Sequence, residues 1–148
     1  MASDPSTRAR WLQALALAND QEMEAATAAF AVRPEAFETL RAPEVGLVMT
    51  RARAGGSGAP FNLGEATVTR SAVRSPDGMV GIGWVQGRRP RRSVQIARLD
   101  AVFQSAGSEQ VMAVVRDMEA GLAERRAQVA RKAAATRVDF ITLVRGED

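Results

Sequence analysis

The sequence lacks cysteine and histidine, and Lys132 is its only lysine. Without cysteine, the chain can form neither a disulfide nor a thiolate metal site. Without histidine, it lacks the side chain that most often serves as a general base and as a protein metal ligand. A Ser-His-Asp hydrolase, a histidine-dependent nuclease or a zinc hydrolase therefore cannot be built from this chain alone, and we predict no metal site.

Long apolar runs are missing as well. No stretch reaches the roughly 18 apolar residues that a membrane-spanning helix requires, and the N-terminus has no basic region followed by an apolar core, so no signal peptide is expected. The 148 residues, of which 46% are hydrophobic, predict one globular domain over residues 1–148. The absence of cysteine is compatible with a reducing compartment, and we expect a cytoplasmic protein.

The net charge is only +3, from 20 basic and 17 acidic residues. Nearly all the basic residues are arginines, which bind phosphates and carboxylates well, although a GC-rich genome explains the enrichment equally well. The densest run is Arg88-Arg89-Pro90-Arg91-Arg92. It is either a contact for an anion or an acidic partner, or a solvated approach to a helix. No aromatic residue interleaves with it, which disfavours a nucleic-acid platform.

Three β-like runs occupy the middle of the chain, at residues 45–53, 61–74 and 79–86. A glycine-rich segment at residues 55–58 separates the first two. Ser75-Pro76-Asp77-Gly78 separates the last two, and proline followed by glycine is a turn signal because proline fixes one φ angle and glycine accepts a positive one. We predict an antiparallel meander, with residues 37–41 as a further strand that pairs with residues 45–53.

The flanking segments have helical periodicity. Two N-terminal helices are predicted, the second of them capped by Asp20, and a third covers residues 93–105. Residues 111–115 read as a short strand, Asp117 then caps a long helix to about residue 136, and residues 137–148 form a β-like tail. The predicted fold class is α+β, an antiparallel meander sheet flanked by N-terminal helices and a long C-terminal helix.

The alternation of the first strand places five side chains on one face, which begins apolar and ends with two arginines: Val45, Leu47, Met49, Arg51 and Arg53. We expect this face to pass from the core to an exposed or liganded rim. Gly81, Gly83 and Gly87 interrupt the last strand, where glycine indicates a bulge, a bend or close approach by another backbone.

Four arginines on neighbouring strands are candidates to hold one phosphorylated ligand, namely Arg51, Arg53, Arg70 and Arg74. The carboxylates least easily assigned to a helix surface are Glu44, Glu65, Asp100 and Asp139. No pair of these has a spacing that demands catalysis or metal binding. The glycine-rich segment lacks the Gly-Lys-Ser/Thr of a phosphate-binding loop and is interpreted as a flexible hairpin connection.

One long pattern is far more specific than these. Residues 44–74 read E-x-G-L-V-M-x-R-x-R-x-G-G-x-G-x-x-F-N-L-G-E-x-T-V-T-R-x-x-V-R. They are followed by G-x-V-x-G-R at 83–88, by Asp100-Ala101 and by R-V-D-F-x-T-x-V-R-G at 137–146. This pattern resembles the G subunit of the bacterial carbon–phosphorus lyase core complex over nearly the whole chain. The chain departs from it at Arg89-Pro90-Arg91-Arg92, where that family has acidic residues.

The resemblance implies a role in phosphonate catabolism. With the H, I and L subunits, such a protein supports displacement of adenine from ATP by an alkylphosphonate, which yields an alkylphosphonate ribose triphosphate. A later radical step on another subunit cleaves the carbon–phosphorus bond with an iron–sulfur cluster and S-adenosylmethionine. The I subunit is implied as the nucleosidase-like catalyst, in a two-fold assembly of G, H, I and J. This chain would then not be catalytic alone and would bind no cofactor by itself, with ATP a substrate of the complex.

Three hypotheses follow. In the first, the four strand arginines and Arg88 orient phosphates or bind the I subunit, while the four carboxylates fix the arginine geometry. In the second, the chain is a non-catalytic assembly module without substrate contact, whose interfaces are the helix at 117–136 and the tail at 137–148. The third, RNA binding, is disfavoured because Phe61 and Trp84 are the only aromatic residues of the predicted sheet.

Overall fold

The computed structural model describes residues 5–136. Its helices and strands are α1 (Pro5–Leu17), α2 (Asp20–Ala29), β1 (Glu38–Arg53), β2 (Pro60–Arg74), β3 (Val80–Gln86), α3 (Pro90–Ser105) and α4 (Ser108–Ala135). The three strands form one antiparallel sheet in the order β1-β2-β3. The predicted α+β class, with a meander, N-terminal helices and a long C-terminal helix, is confirmed.

The turn between β2 and β3 forms at Ser75-Pro76-Asp77-Gly78, as predicted. The Ser75 N–H donates to the Met79 carbonyl oxygen at 2.9 Å, and the Gly78 N–H donates to the Ser75 carbonyl oxygen at 2.9 Å. Gly78 has a φ of 84°, in the region that favours glycine. The turn therefore fixes the register in which Arg74 lies opposite Val80.

Residues 37–41 do not form a separate strand that folds back on residues 45–53, so this prediction was wrong. β1 is continuous from Glu38 to Arg53, and both of its halves pair with β2: Glu38 lies opposite Arg74, and Glu44 opposite Arg70. Pro43 falls in a register irregularity between Arg41 and Glu44. An edge strand tolerates a proline at such a point because no ladder hydrogen bond is lost there.

Residues 111–115 are helical, so the predicted short strand was also wrong. α4 begins at Ser108 with Gly107 as its N-cap, and Asp117 lies inside it. Val111, Val115 and Met118 are buried with helical spacing, but a short apolar run does not by itself separate a strand from a helix. The predicted tail at 137–148 lies outside the described residues.

The core lies between the four helices and one face of the sheet. Trp11 and Leu15 of α1, Met23 of α2 and Ile96 and Phe103 of α3 are among its buried residues. The Trp11 and Phe103 rings pack edge to face, with centroids 5.9 Å apart. The predicted apolar stripes of the first three helices therefore do face the core. The second helix is capped by Asn19 instead of Asp20, through a capping box with Glu22.

α3 approaches the sheet closely at Gly81 and Gly83. A Cβ atom on Gly81 would overlap the Ala97 carbonyl oxygen, and one on Gly83 would overlap the Ser93 carbonyl oxygen. Close backbone approach, one of the interpretations of these glycines, is thus confirmed. Gly87 instead has a φ of 86° and lies where the chain leaves β3 for α3. Among residues 5–136, no helix has the length and apolarity to cross a membrane.

Candidate functional site

The β1–β2 hairpin extends beyond the rest of the molecule. β3 pairs with β2 only as far as Val68, which lies opposite Gln86. The Gly87 N–H still donates to the Thr67 carbonyl oxygen at 2.8 Å, and from there outward the two long strands pair with each other alone. We call residues 46–67 the arm. Its large apolar side chains are exposed, with Leu47 at 62%, Met49 at 53%, Phe61 at 45% and Leu63 at 66%.

The apolar row of β1 is not part of the core, contrary to our expectation. Val45 lies opposite Thr69, which lies opposite Val85, so these three share the face that α3 covers. Thr69 and Val85 are buried, whereas Val45 is 42% exposed and Leu47 and Met49 are exposed further out. α3 covers the sheet over β3 and the adjacent part of β2, and the described chain has no second layer over the arm.

The opposite face of the sheet carries an ion-paired row of three residues, Glu44, Arg70 and Trp84, which lie directly opposite one another on the three strands. The Glu44 carboxylate accepts hydrogen bonds from Arg70 Nη2 at 3.2 Å and Nε at 3.3 Å, and from Arg41 Nη1 at 2.9 Å. The Arg70 guanidinium carbon lies 5.7 Å from the centroid of the Trp84 ring, within cation–π range. Hydrogen bonds from Arg70, and next from Arg41, hold the pKa of Glu44 below its usual range.

A second ion pair lies on this open face, four residues further along β2 towards the β2–β3 connection. Arg74 Nη1 donates to Glu38 Oε2 at 2.8 Å. Trp84, level with the first ion pair, is 43% exposed, and Val80, opposite Arg74, is 41% exposed. The open face therefore combines aromatic and apolar area with arginines that carboxylates hold in position.

Arg51 and Arg53 lie at the far end of the arm. Arg51 is opposite Asn62 and Arg53 is opposite Pro60, and Arg53 Nη1 donates to the Gly58 carbonyl oxygen at 3.0 Å. Along β2, Asn62 is about 26 Å from Arg70, at a rise of about 3.3 Å per residue. The four strand arginines thus form two separate groups, and a single chain does not direct them onto one small ligand.

The remaining candidates lie apart from both groups. Glu65 lies opposite Met49 on the arm and is exposed, and Arg88 is exposed between β3 and α3. Asp139 lies outside the described residues. Within residues 5–136 no cluster of acidic side chains could hold a metal ion.

Asp100 is fully buried and joins three elements. Its carboxylate accepts hydrogen bonds from Trp11 Nε1 at 2.8 Å, from the Ile82 N–H at 2.8 Å and from Arg8 Nη2 at 2.8 Å, with Arg8 Nε at 3.2 Å. These donors occupy both carboxylate oxygens. Asp100 therefore fixes an arginine, Arg8, as we expected of the four carboxylates. The contact links α1 to the sheet.

Sequence reasoning missed Arg92. Its side chain is 9% exposed and pairs with Asp20, and its Nη1 donates to the Asn19 carbonyl oxygen at 3.3 Å. Arg92, one member of the arginine run, therefore links α3 to α2, whereas Arg89 and Arg91 are exposed. The signal was present, because Arg92 precedes Ile96 by four residues and so shares the buried face of α3.

An α+β chain with an uncovered β-arm and an exposed, ion-paired sheet face has the surface of a subunit that assembles with other chains. The family model for Phosphonate metabolism protein PhnG matches residues 6–146, and the chain belongs to this family. A relative from Rhizobium meliloti (strain 1021), alpha-D-ribose 1-methylphosphonate 5-triphosphate synthase subunit PhnG, is 44% identical over 142 residues, which are 95% of this chain and 90% of the relative. The resemblance to the G subunit is thereby confirmed.

Proposed function

We propose that this chain is a subunit of a synthase that transfers the ribose triphosphate moiety of ATP to an alkylphosphonate, with release of adenine. The observation that carries the proposal is the 44% identity to the synthase subunit over 95% of the chain. The reaction belongs to phosphonate catabolism, as the family match supports. ATP is then a substrate of the complex, this chain holds no cofactor by itself, and the site of action is the cytoplasm, where ATP is available.

The role of this chain in the synthase is to shape and stabilise a site that a companion subunit completes. The chain has no histidine. Within residues 5–136, the sheet carboxylates Glu44 and Glu38 are engaged in ion pairs with arginines. We propose the I subunit as the catalytic companion, with the H, J and L subunits as further members of the assembly.

Arg70 and Arg74 are held by Glu44 and Glu38 on the open face of the sheet. Pre-positioned arginines of this kind lose little side-chain entropy when a partner carboxylate or phosphate arrives. Arg51 and Arg88 have no acidic partner among residues 5–136, and both are exposed. They therefore have unused hydrogen-bond donors for a phosphate or a companion subunit.

The test is co-expression of this chain, tagged, with the I, H, J and L subunits, followed by affinity purification. We expect the I subunit to be recovered in a fixed ratio to this chain. Recovery of this chain alone, under conditions in which the other subunits are expressed, would contradict the proposal.

A second measurement separates direct ligand contact from assembly. The full chain alone is titrated with ATP-γ-S and with methylphosphonate. Saturable binding that Arg51→Gln or Arg88→Gln weakens would support direct contact with phosphates. No binding up to about millimolar concentration would rule out direct phosphate binding by this chain alone. The remaining explanation would be that these arginines act at the subunit interface.

A further inference from the structure

The arm is longer than an unsupported hairpin should be. Beyond Val68 it consists of two strands of about eight residues each, about 26 Å long at a rise of about 3.3 Å per residue. A two-stranded ribbon is only marginally stable in water. The described chain supplies neither a third strand nor a covering helix to it, so its paired form points to support from outside the chain.

Both faces of the arm are apolar. Leu47 and Met49 lie on the face that α3 covers nearer the core, and Phe61, opposite Ala52, lies on the other. Leu63, at the register irregularity opposite Thr50 and Arg51, is 66% exposed. A surface that docks flat on a partner needs one apolar face. Apolar residues on both faces fit a cleft that encloses the arm.

The charges select the kind of partner. Two arginines, Arg51 and Arg53, lie at the outer end of the arm, and Glu65 is the only acidic residue within residues 46–67. A further exposed surface of the described chain, the C-terminal half of α4, is also basic, with Arg126, Arg131 and Lys132 exposed against Glu124. Two copies would therefore bring like charges together, which disfavours self-association through the arm.

We propose that the arm inserts into an apolar cleft with an acidic rim on a companion subunit of the synthase. This inference rests on the proposed function, which supplies the companion. The apolar residues of the arm fill the cleft, and the arginines at its end pair with carboxylates at the rim. A small number of fully enclosed residues usually carries most of the binding free energy at an interface.

The first test replaces exposed apolar residues of the arm, with Leu47→Glu and Leu63→Glu, in the full chain co-expressed with the companion subunits. The matched control is Val129→Glu on α4, because Val129 is 67% exposed and Leu63 is 66% exposed. We expect each arm variant to lower recovery of companion subunits at least tenfold, with an unchanged circular dichroism spectrum. Recovery equal to wild type, or reduced no more than by the control, would overturn the proposal.

The second test addresses the acidic rim and does not depend on an apolar substitution. We expect Arg51→Glu to lower recovery of companion subunits at least fivefold, and Arg51→Lys to restore most of it at low salt. Equal recovery with Arg51→Glu would overturn the charge argument. Light scattering gives the oligomeric state. If the wild-type chain is a dimer and the Leu63→Glu variant a monomer, a second copy of the chain occupies the arm, and this would also overturn the proposal.

The outcomes separate this inference from the function it rests on. If the wild-type chain recovers no companion subunit, the proposed function fails. If the wild-type and arm variants recover the companions equally, the proposed function stands and only the docking of the arm is refuted.

Discussion

Asp100 shows how a single buried carboxylate organises this fold. It is fully buried and receives hydrogen bonds from α1, through Trp11 and Arg8, and from β3, through the Ile82 N–H. A buried charge is tolerated only when its lone pairs are satisfied in this way. The same arrangement makes the residue costly to remove, because its donors would stay buried without an acceptor.

We predict that Asp100→Ala lowers the free energy of unfolding by about 3 kcal/mol, chiefly because the Trp11 indole N–H and the Ile82 N–H lose their acceptor. Arg8 is partly exposed, so its guanidinium can turn to water and adds less. Urea denaturation followed by circular dichroism measures the change. The control is Asp117→Ala, at an exposed position of α4, which should change stability by less than about 0.5 kcal/mol. A similar small change for Asp100→Ala would contradict this role.

The sequence pointed to Asp100 but not to its function. Its partners Arg8 and Trp11 precede it by 92 and 89 residues, a separation at which no spacing rule applies. Glu44 and Arg70, 26 residues apart, were both selected as candidates, yet their pairing depends on a register that only the folded sheet defines. Residue type thus indicated which side chains matter, and topology decided what each one contacts.

At the scale of elements, the contact between α3 and the sheet depends on two glycines. A side chain on Gly83 would overlap the backbone of α3 at Ser93, and backbone cannot turn aside as a side chain can. The helix would have to move away from the sheet and loosen the packing of Ile96 and Leu99, which are fully buried.

We predict that Gly83→Ala lowers the free energy of unfolding by about 3 kcal/mol, at the upper end of the usual cost of overpacking. The matched control is Gly46→Ala on the same sheet, where an added Cβ meets no atom within 4 Å. It should be neutral, or stabilising by about 0.5 kcal/mol through the unfolded state. Equal melting temperatures for the two variants would refute the close-approach explanation.

An ion pair ties α2 to α4. The Glu22 carboxylate accepts hydrogen bonds from Arg125 Nη1 at 2.6 Å and from the Asn19 N–H at 2.8 Å. Partial burial alone would raise the pKa of Glu22, but the hydrogen bond from Arg125, together with that from Asn19, lowers it on balance. Gly121 on α4 leaves the space for this contact, since a Cβ there would overlap the Glu22 carboxylate.

A lowered pKa in the folded state means that ionised Glu22 stabilises the protein above the ordinary glutamate pKa of about 4.3. This contribution is lost as the pH falls below that value and through the lower folded pKa. We predict that Glu22→Gln, which keeps the capping geometry, has a lower melting temperature than wild type at pH 7. The difference should shrink towards zero as the pH falls below about 4. A difference that stays constant down to pH 3 would contradict the ionic contribution.

The elements themselves were largely predictable. Ser75-Pro76-Asp77-Gly78 defined one turn by its own chemistry, and helical stripes such as Trp11 and Leu15 identified the N-terminal helices. The errors fell where local signals are ambiguous. Residues 111–115 form an apolar run too short to separate strand from helix, and Pro43 suggested a turn where the edge strand accommodates it in a bulge.

At the scale of the whole molecule, burial was the property that the sequence predicted least well. The alternation of Val45, Leu47 and Met49 correctly placed them on one face, but that face is exposed in the described chain. Alternation predicts that one face is apolar and suited to burial, and it does not say whether the covering surface belongs to the same chain. For a member of a family of complex subunits, such exposed apolar faces are the expected consequence.

The family match reaches from residue 6 to residue 146, a span that contains the arm, the open sheet face and both groups of arginines. We infer that these surfaces act together only in the assembled synthase. The two arginine groups, about 26 Å apart along β2, would then contact different parts of the complex.

The most direct measurement of the central claim is adenine release by the reconstituted synthase, with ATP and methylphosphonate as substrates, with and without this chain. We predict adenine release with the complete set of subunits, and at least a hundredfold slower release when this chain alone is omitted. Restoration on adding back the purified chain would show that the loss is specific. Adenine release at an equal rate without this chain would contradict the claim that the chain is a required subunit of the synthase.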